Sequence, residues 1–431
     1  MLTESVPRLW IYNAGIDKVW QTEKQGMKKI NNPKEQVILN SQSELLIFLC
    51  EESDYLVLFK IPDSEFIKDM IKFGIKKPKF IQITEGEKTI SELFSYEMDN
   101  IDELKNEKVN GIIYTPYILS FQDENNAKKL KIPIYGKNSE IVKKINNKTF
   151  IREISLKYNF PTIKGFICRS KEELLTSANL LIKRGCKKFC IKEPFNSAGK
   201  GVFFIRDEKQ LNLFSNRIQF EGEDFSVVLE EWIDNKKDIN YQIEILKNGN
   251  INFIGITEQI INITSYKGTV YPANISLEQE NQYKVYAKLI GDILYKMGFI
   301  GIVGVDSMIT SDNTIIPMIE INARINQSTF YLKLGNYFHK KNKKTIFRSY
   351  DINTDIKLNY LLLKQYLISH DLYFDGERGS IIINSSCLSI YINNDGTYFS
   401  RVYLAYIDES MVTNEQLMSS IDKVIEIIKE I

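Results

Sequence analysis

The chain has 431 residues, of which 43% are hydrophobic and 26% charged, and its net charge is 56 − 55 = +1. A chain of this length is expected to form two to four domains with buried cores, and this composition argues against wholesale disorder. The balanced charge argues against a protein that coats nucleic acid by electrostatic attraction.

The N-terminal sequence lacks the basic segment, apolar core and small-residue cleavage site of a secretory signal. No stretch approaches the ~20 consecutive apolar residues of a membrane span. The five cysteines include no CxxC pair, which indicates reduced thiols. Neither of the two histidines lies in a nucleophile motif, so a Ser-His-Asp or Cys-His enzyme is disfavoured. The sequence therefore predicts a cytoplasmic protein without a membrane segment.

Residues 1 to about 140 alternate short apolar runs with amphipathic segments. Strand-like runs include RLWIYNA, DYLVLFKIP, PKFIQIT, NGIIYTP and KIPIYG, and SEFIKDMIKFGI has helical spacing. Strands that alternate with helices favour a doubly wound, mostly parallel sheet. Such a sheet binds ligands beyond the C-terminal ends of its strands, although turn formation explains the same polar residues equally well. The candidates are Asn13, Gly15, Lys60, Pro62 and Asp63.

A second unit begins near residue 141 with a predicted helix, Ile141 to Tyr158. It continues to a strand that ends at Lys192, followed by a loop of small residues and the strand VFFIRD. Gly199 and Gly201 carry no Cβ, so backbone N–H groups of this loop can approach a phosphate closely. The loop matches neither GxxxxGK[ST] nor GxGxxG, and alone it is more typical of an ordinary hairpin turn.

Further strands follow this loop. The run VVLEEWI ends in two acids and a tryptophan, and KDINYQIEIL and NINFIGITEQIINI read as strands. The segment TSYKGTVYPANI contains glycine and proline and is predicted to be a loop. A long helix, SLEQENQYKVYAKLIGDILYKMG, comes next.

The stretch from Gly301 to Thr329 has two apolar runs around the polar turn 311–313, which predicts a β-hairpin. Asp306 lies in the first run. Glu320, Asn322 and Arg324 alternate along the second, so they share one face of a strand. Oxygen ligands of this kind suit Mg²⁺, and an arginine suits a phosphate. From these residues alone, a polar face exposed to water is an equally good interpretation.

Beyond the basic connector His339 to Lys344, the sequence predicts helices and strands of a small α+β domain. The predicted helices are LNYLLLKQYLISH and NEQLMSSIDKVIEIIKEI. The predicted strands are GSIIINSS, LSIYIN and YFSRVYLAYI. The turn Asn394-Asp395-Gly396 marks a hairpin between the last two strands.

The order of these features is more specific than any one of them. Lys148, Lys192 with the NSAGKG loop, the acidic strand end EEWI and the Asp306, Glu320, Asn322 and Arg324 set follow one another. This order resembles the ATP-grasp superfamily over roughly residues 140 to 335. The N-terminal unit and the phrase IEINARINQST are similar to ligases with a pre-ATP-grasp domain, including peptide ligases and amino acid:acyl-carrier-protein ligases of natural-product pathways.

The resemblance implies three domains. Residues 1–140 would form an α/β pre-ATP-grasp domain, and residues 345–431 a small α+β C-terminal domain. Residues 141–340 would form the ATP-grasp domain, in which two α+β subdomains clasp ATP and the flap subdomain covers about 185–233.

The resemblance also implies a role for each matching residue. Lys148 and Lys192 would hold phosphates, and Asp238 the ribose. Asp306, Glu320 and Asn322 would hold two Mg²⁺ ions, which Mn²⁺ could replace. Arg324, Lys192 and Asn322 would act in catalysis. The remaining ATP-binding residues would be the flap, with Asn196, Ser197, Ala198, Gly199, Lys200 and Gly201, and the hinge, with Glu230, Glu231, Trp232 and Ile233. Near the substrate would lie Gln259, Tyr266, Lys267, Gly268, Asn326 and Ser328, of which Tyr266 and Lys267 are equally consistent with ordinary loop residues.

The implied function is an ATP-dependent ligase that activates a small carboxylate as an acyl phosphate and releases ADP. The acceptor would be an amine or a carrier-protein thiol, and no motif distinguishes them. The resemblance implies neither a nucleic-acid nor a membrane partner and leaves a homodimer open. A carboxylase-like or kinase-like relative is one alternative, and a degenerate module that binds nucleotide without turnover is another. The complete metal set argues against the degenerate module.

Overall fold

A computed structural model gives the architecture of the chain and describes residues 6–22, 24–28, 32, 34–104, 111–195, 201–222 and 225–430. The predicted flap residues Asn196 to Lys200 lie outside the described residues. None of the described helices combines the length and apolar character needed to cross a membrane.

The N-terminal unit is a parallel sheet with helices, as the alternating pattern predicts. Its strands are β1 (Arg8–Ile11), β2 (Tyr55–Leu58), β3 (Lys79–Gln82) and β4 (Ile113–Pro116). Its helices are α1 (Glu35–Ser41), α2 (Ser64–Lys72), α3 (Ile90–Glu97) and α4 (Phe121–Leu130), with a 3₁₀ helix at Gln42–Phe48. The sheet order is β3-β2-β1-β4, with every pair parallel. The prediction of a strand in KIPIYG is wrong, because only one bridge joins Ile134 to Tyr114.

The second unit begins with two helices where the sequence predicts one. They are α5 (Ser139–Ile145) and α6 (Lys148–Lys157). The helix is interrupted between them because the Asn147 side chain accepts hydrogen bonds from the N–H groups of Thr149 and Phe150 and so caps the start of a new helix. Lys148 therefore lies in the first turn of α6.

The predicted flap subdomain of about 185–233 is part of a larger unit that already begins at Gly165. This unit, called the flap subdomain as a whole, is a four-stranded antiparallel sheet with its own small core. It contains β5 (Gly165–Cys168), α7 (Lys171–Lys183), β6 (Phe189–Lys192), β7 (Val202–Ile205), α8 (Glu208–Arg217) and β8 (Val227–Glu231). The order is β5-β8-β6-β7. Strands β6 and β7 pair from Lys192–Val202 to Phe189–Ile205, so they flank the predicted flap loop.

The large sheet carries the predicted metal residues. Its first elements are β9 (Lys237–Ile245), β10 (Ile251–Asn262), β11 (Ser265–Tyr271), α9 (Leu277–Lys296), β12 (Gly301–Ile309), β13 (Ile315–Asn322) and α10 (Gln327–His339). The prediction of a loop at TSYKGTVYPANI is wrong over its first part, because residues 265–271 form β11. This strand hydrogen-bonds β10, and the pairing compensates for the glycine and the polar residues.

The C-terminal elements extend the same sheet. They are β14 (Lys343–Thr354), α11 (Tyr360–Ser369), β15 (Gly379–Ile382), β16 (Tyr391–Ile392), β17 (Tyr398–Glu409) and α12 (Asn414–Ile428). The order is β13-β12-β9-β10-β11-β14-β17-β15, with β16 on β17. The predicted connector 339–344 includes the start of β14, and the sheet runs without a break past residue 345.

Candidate active site

The β12–β13 hairpin brings four predicted residues to one place. Asp306 lies directly opposite Glu320 in the strand register, and Asn322 lies opposite Gly304. The Arg324 Nη1 donates to Asn322 Oδ1. Ile321 and Ala323 are buried in the core, as the alternation along the strand predicts.

Two carboxylates, those of Asp306 and Glu320, face each other at this end of the site and concentrate negative charge there. Burial raises the pKa of Asp306 to about 6, and the facing Glu320 carboxylate adds to the effect. Hydrogen bonds from Asn240 and Asn322 oppose it but do not compensate for it. A divalent cation beside Asp306 and Glu320 would remove this penalty, and two carboxylates with an amide oxygen form a donor set that Mg²⁺ accepts. The residues present therefore fit a magnesium site.

Both predicted phosphate lysines lie beside acids, of which Glu320 is half-buried and Glu230 is buried. The Lys148 Nζ is 3.0 Å from Glu320 Oε1, and the Lys192 Nζ is 2.5 Å from Glu230 Oε2. Burial by itself would lower the pKa of Lys192, but the charge and hydrogen bond of Glu230, together with Cys190 and Glu320, outweigh burial, and the pKa is raised. Lys192 is thus held as a cation, and Lys148 contacts the acidic hairpin directly.

Glu230 has a different environment from the rest of the predicted hinge. Its carboxylate is buried and also accepts Arg152 Nη1 at 2.6 Å. Glu231, Trp232 and Ile233 line the central cleft, and the Trp232 ring lies 4.5 Å from that of Phe204. The Glu231 N–H donates to Lys164 O at 2.8 Å, so this N–H is not available to an adenine.

The acid that follows Lys192 contacts a different segment. Glu193 is buried, and its Oε1 accepts the Met27 N–H at 2.5 Å. Its backbone N–H donates to the carbonyl of Gly201, the described end of the flap, at 2.8 Å. Gly201 has φ +72°, a conformation that glycine adopts without strain.

The predicted substrate residues are divided between the cleft wall and the sheet. Tyr266, Lys267, Asn326 and Ser328 line the cleft. Gly268 lies opposite Arg348, and a Cβ there would approach Phe347 O to 2.4 Å, so packing explains this glycine. Gln259 lines the cleft and donates to Asp306 Oδ1 at 3.1 Å, which places it at the acidic centre. Asp238 also lines the cleft and pairs with Lys236.

A cleft of about 1000 Å³ is lined by most of these residues, including Lys192. Lys148 and Glu230 line a smaller adjoining pocket instead, to which Lys192 also contributes. The cleft extends from Trp232 past Asp306 and Arg324 to walls that the sequence motifs did not identify. The N-terminal unit contributes Asp17, Lys18, Gln42 and Tyr117, and the C-terminal strands contribute Asp351, Arg401 and Tyr403. Of the N-terminal positions predicted to face a ligand, Gly15 lines this cleft. Asn13 is buried and bonds Asp123 and Ile118, and Asp63 caps α2.

Among the C-terminal residues that line the cleft, Arg401 is held in place by a bidentate ion pair. Arg401 donates from Nε and Nη2 to the two oxygens of Asp351, at 2.6 and 2.8 Å. The two residues face each other across β14 and β17. No motif marks Arg401, but its alternation with Phe399 and Tyr403 along a strand gives the signal that could have placed all three on one face.

The chain is similar in sequence to known ligases. A family model described as L-aspartate–L-methionine ligase, ATP grasp, matches residues 166–322. The [butirosin acyl-carrier protein]–L-glutamate ligase of Niallia circulans is 26% identical over 330 residues, 76% of this chain and 74% of that protein.

Solved structures match over almost the whole chain. An ADP complex of N5-carboxyaminoimidazole ribonucleotide synthetase has a TM-score of 0.59 at 12% identity, with 100% and 99% of the two chains covered. The biotin carboxylase domain of Hydrogenobacter thermophilus 2-oxoglutarate carboxylase, with MgADP and bicarbonate, has a TM-score of 0.58 at 14% identity, with 98% and 90% covered. At these identities the likeness shows the shared fold.

Proposed function

We propose that this chain is an ATP-grasp ligase that activates an amino acid as an acyl phosphate and transfers it to an amine or a carrier-protein thiol. The observation that carries the proposal is the meeting of Asp306, Glu320, Asn322 and Arg324 beside two buried lysines. The comparisons give no support to a module without turnover.

The nucleotide half of the cleft lies between the flap subdomain and the large sheet. Trp232 and Ile233 would hold the adenine, and Asp238 the ribose. Lys148 and Lys192 would neutralise phosphate oxygens with charges that Glu320 and Glu230 already orient. Asp306, Glu320 and Asn322 would hold two Mg²⁺ ions, which neutralise charge on the phosphates when bound.

The chemistry proceeds in two substitutions. An oxygen of the substrate carboxylate attacks the γ-phosphorus, the bond from this phosphorus to the β-γ bridging oxygen breaks, and ADP leaves. Arg324 would bind the transferring group, because its guanidinium lies next to the acidic centre and is fixed by Asn322. The amine or thiol then attacks the acyl carbon, loses a proton, and phosphate departs.

The names of the relatives support an amino acid as the carboxylate. One model is described by L-aspartate and L-methionine, and one relative by L-glutamate and an acyl-carrier protein. We infer that this chain acts on an amino acid of the same general kind, in a natural-product pathway, with Arg401 and Asp351 at the substrate end of the cleft.

The test is a product screen. Purified protein is given Mg-ATP, individual L-amino acids and hydroxylamine as a general acceptor, and ADP, AMP and hydroxamate are measured. We expect ADP and an amino-acid hydroxamate in equal amounts. Formation of AMP and pyrophosphate would contradict the acyl-phosphate mechanism, and absence of any hydroxamate would contradict an amino-acid substrate.

A further inference from the structure

Three side-chain amides surround the carboxylate of Asp306. Its Oδ1 accepts Asn240 Nδ2 at 2.7 Å and Gln259 Nε2 at 3.1 Å. Its Oδ2 accepts Asn322 Nδ2 at 2.9 Å. A carboxylate oxygen has two lone pairs, so Oδ1 is fully used and Oδ2 keeps one. Asp306 can thus offer a cation one oxygen, and the amides determine which one.

The Asn240 amide is itself held by a second amide. Its Oδ1 accepts Gln242 Nε2 at 2.5 Å, and both residues are fully buried on β9. The Gln242 Nε2 also donates to Asn326 Oδ1 at 2.8 Å, and its Oε1 accepts Thr329 Oγ1 at 2.8 Å. Asn326 caps α10, so the chain of bonds runs from Asp306 to the first turn of that helix.

A glycine provides the space in which these amides meet. Gly304 lies opposite Gln242 in the register of β12 and β9, just as Asp306 lies opposite Asn240. A Cβ at Gly304 would come within 1.9 Å of Asn326 Nδ2 and 2.7 Å of Gln242 Nε2. Any larger residue would therefore displace the amides, which explains a glycine in the middle of a buried strand.

We propose that Asn240 and Gln242 are positioning residues for the metal site, which hold Asp306 so that its Oδ2 faces the cation. The inference rests on the proposed function in one respect, because it requires a divalent cation to bind at Asp306. Interactions behind a metal ligand commonly alter metal affinity 10–100-fold when they are lost, because the ligand then adopts other orientations. A purely structural role would instead lower stability and leave the metal affinity of the folded protein unchanged.

The experiment measures Mn²⁺ binding by electron paramagnetic resonance, with a non-hydrolysable ATP analogue bound, in Asn240→Leu and Gln242→Leu. Leucine has a similar volume and removes the amide. We expect Mn²⁺ affinity to fall about 10–100-fold, while affinity for the analogue without metal is unchanged. The matched control is Asn252→Leu on β10, opposite Glu244 and outside this chain of bonds.

Gly304→Ala provides a second variant, because it displaces the amides without removing a polar group. If the leucine variants do not fold, Gly304→Ala tests the positioning role in their place. Normal Mn²⁺ affinity in any folded variant overturns the inference. If the wild-type protein binds Mn²⁺ but forms no ADP, the proposed function is contradicted, but the Mn²⁺ affinities of the variants can still be compared. If the wild-type protein binds no Mn²⁺, the positioning role itself is overturned.

Discussion

The Nζ of Lys192 lies 2.5 Å from Glu230 Oε2, and the other oxygen of this carboxylate accepts Arg152 at 2.6 Å. Side chains of all three residues are at least 89% buried, with exposures of 11%, 8% and 6%. One acid therefore compensates two buried cations behind the nucleotide half of the cleft.

We predict that Glu230→Gln destabilises the protein by about 3–5 kcal/mol, because it leaves two buried cations without a carboxylate. The free energy of unfolding is measured in urea. Glu153→Gln is the control, since Glu153 pairs with Arg169 at 3.3 Å on an exposed surface and should cost less than about 1 kcal/mol. Equal losses in the two variants would remove the bridging role from Glu230.

Glu320→Gln should lower the rate of ADP formation about 100-fold or more with little change in thermal stability. The neutral amide cannot match the carboxylate as a Mg²⁺ ligand, and the partner of Lys148 loses its charge. Glu280→Gln, which alters an exposed pair with Lys284 at 2.7 Å on α9, is the matched control. Unchanged turnover in Glu320→Gln would exclude this residue from the metal site.

Arg401→Met is expected to raise the KM for the amino-acid substrate by about 10- to 100-fold, because a hydrogen bond to a charged group contributes about 1.5–3 kcal/mol. The KM for ATP should be unchanged, since Arg401 lies on the C-terminal strands, across the cleft from the hinge. Steady-state kinetics with each substrate varied in turn separates the two. Arg378→Met, at an exposed position, serves as control. A parallel rise in the KM for ATP would argue for a general change in the cleft.

Asp69 gives the fold a predictable pH dependence. Burial alone would raise the pKa of Asp69, but hydrogen bonds from Lys364, Lys72 and Tyr360 outweigh it and lower the pKa to about 2. A lowered pKa means that the carboxylate stabilises the folded state above about pH 4, and this contribution is lost as the pH falls towards 2.

We predict that Asp69→Asn costs about 2 kcal/mol at pH 7 and almost nothing near pH 2, because protonation removes the same charge from the wild type. Urea unfolding at a series of pH values measures the difference. Asp355→Asn, at an exposed position, should show no such trend. A difference that stays constant with pH would show that the charge of Asp69 contributes nothing.

The pattern of the hairpin made most of the acidic centre predictable. Alternation on a strand is a local property, so Glu320, Asn322 and Arg324 could be assigned to one face before any contact was known. The small-residue loop and the acidic strand end were recognisable by their order along the chain. Asp306 could be added because a hairpin brings its two strands together.

Other parts of the fold and of the candidate site could not be predicted from local sequence patterns. The polar and glycine-bearing run 265–271 is a strand because β10 and β14 pair with both of its edges. Gln259 was predicted near a substrate, but its amide bonds Asp306. Glu230 was predicted in the hinge, but it compensates Arg152 and Lys192. In each case at least one deciding partner is distant in sequence, namely β14, Asp306 or Arg152.

The sequence by itself predicted the fold class through its resemblance to the ATP-grasp superfamily. It also placed Glu320, Asn322 and Arg324 on one face, because alternation of side chains is a local property of a strand backbone. Only the tertiary structure decided what surrounds the acidic centre. The Asn240 and Gln242 amides, the glycine that makes room for them and the distant Arg401 come together through strand register and sheet order, which depend on packing of the whole chain.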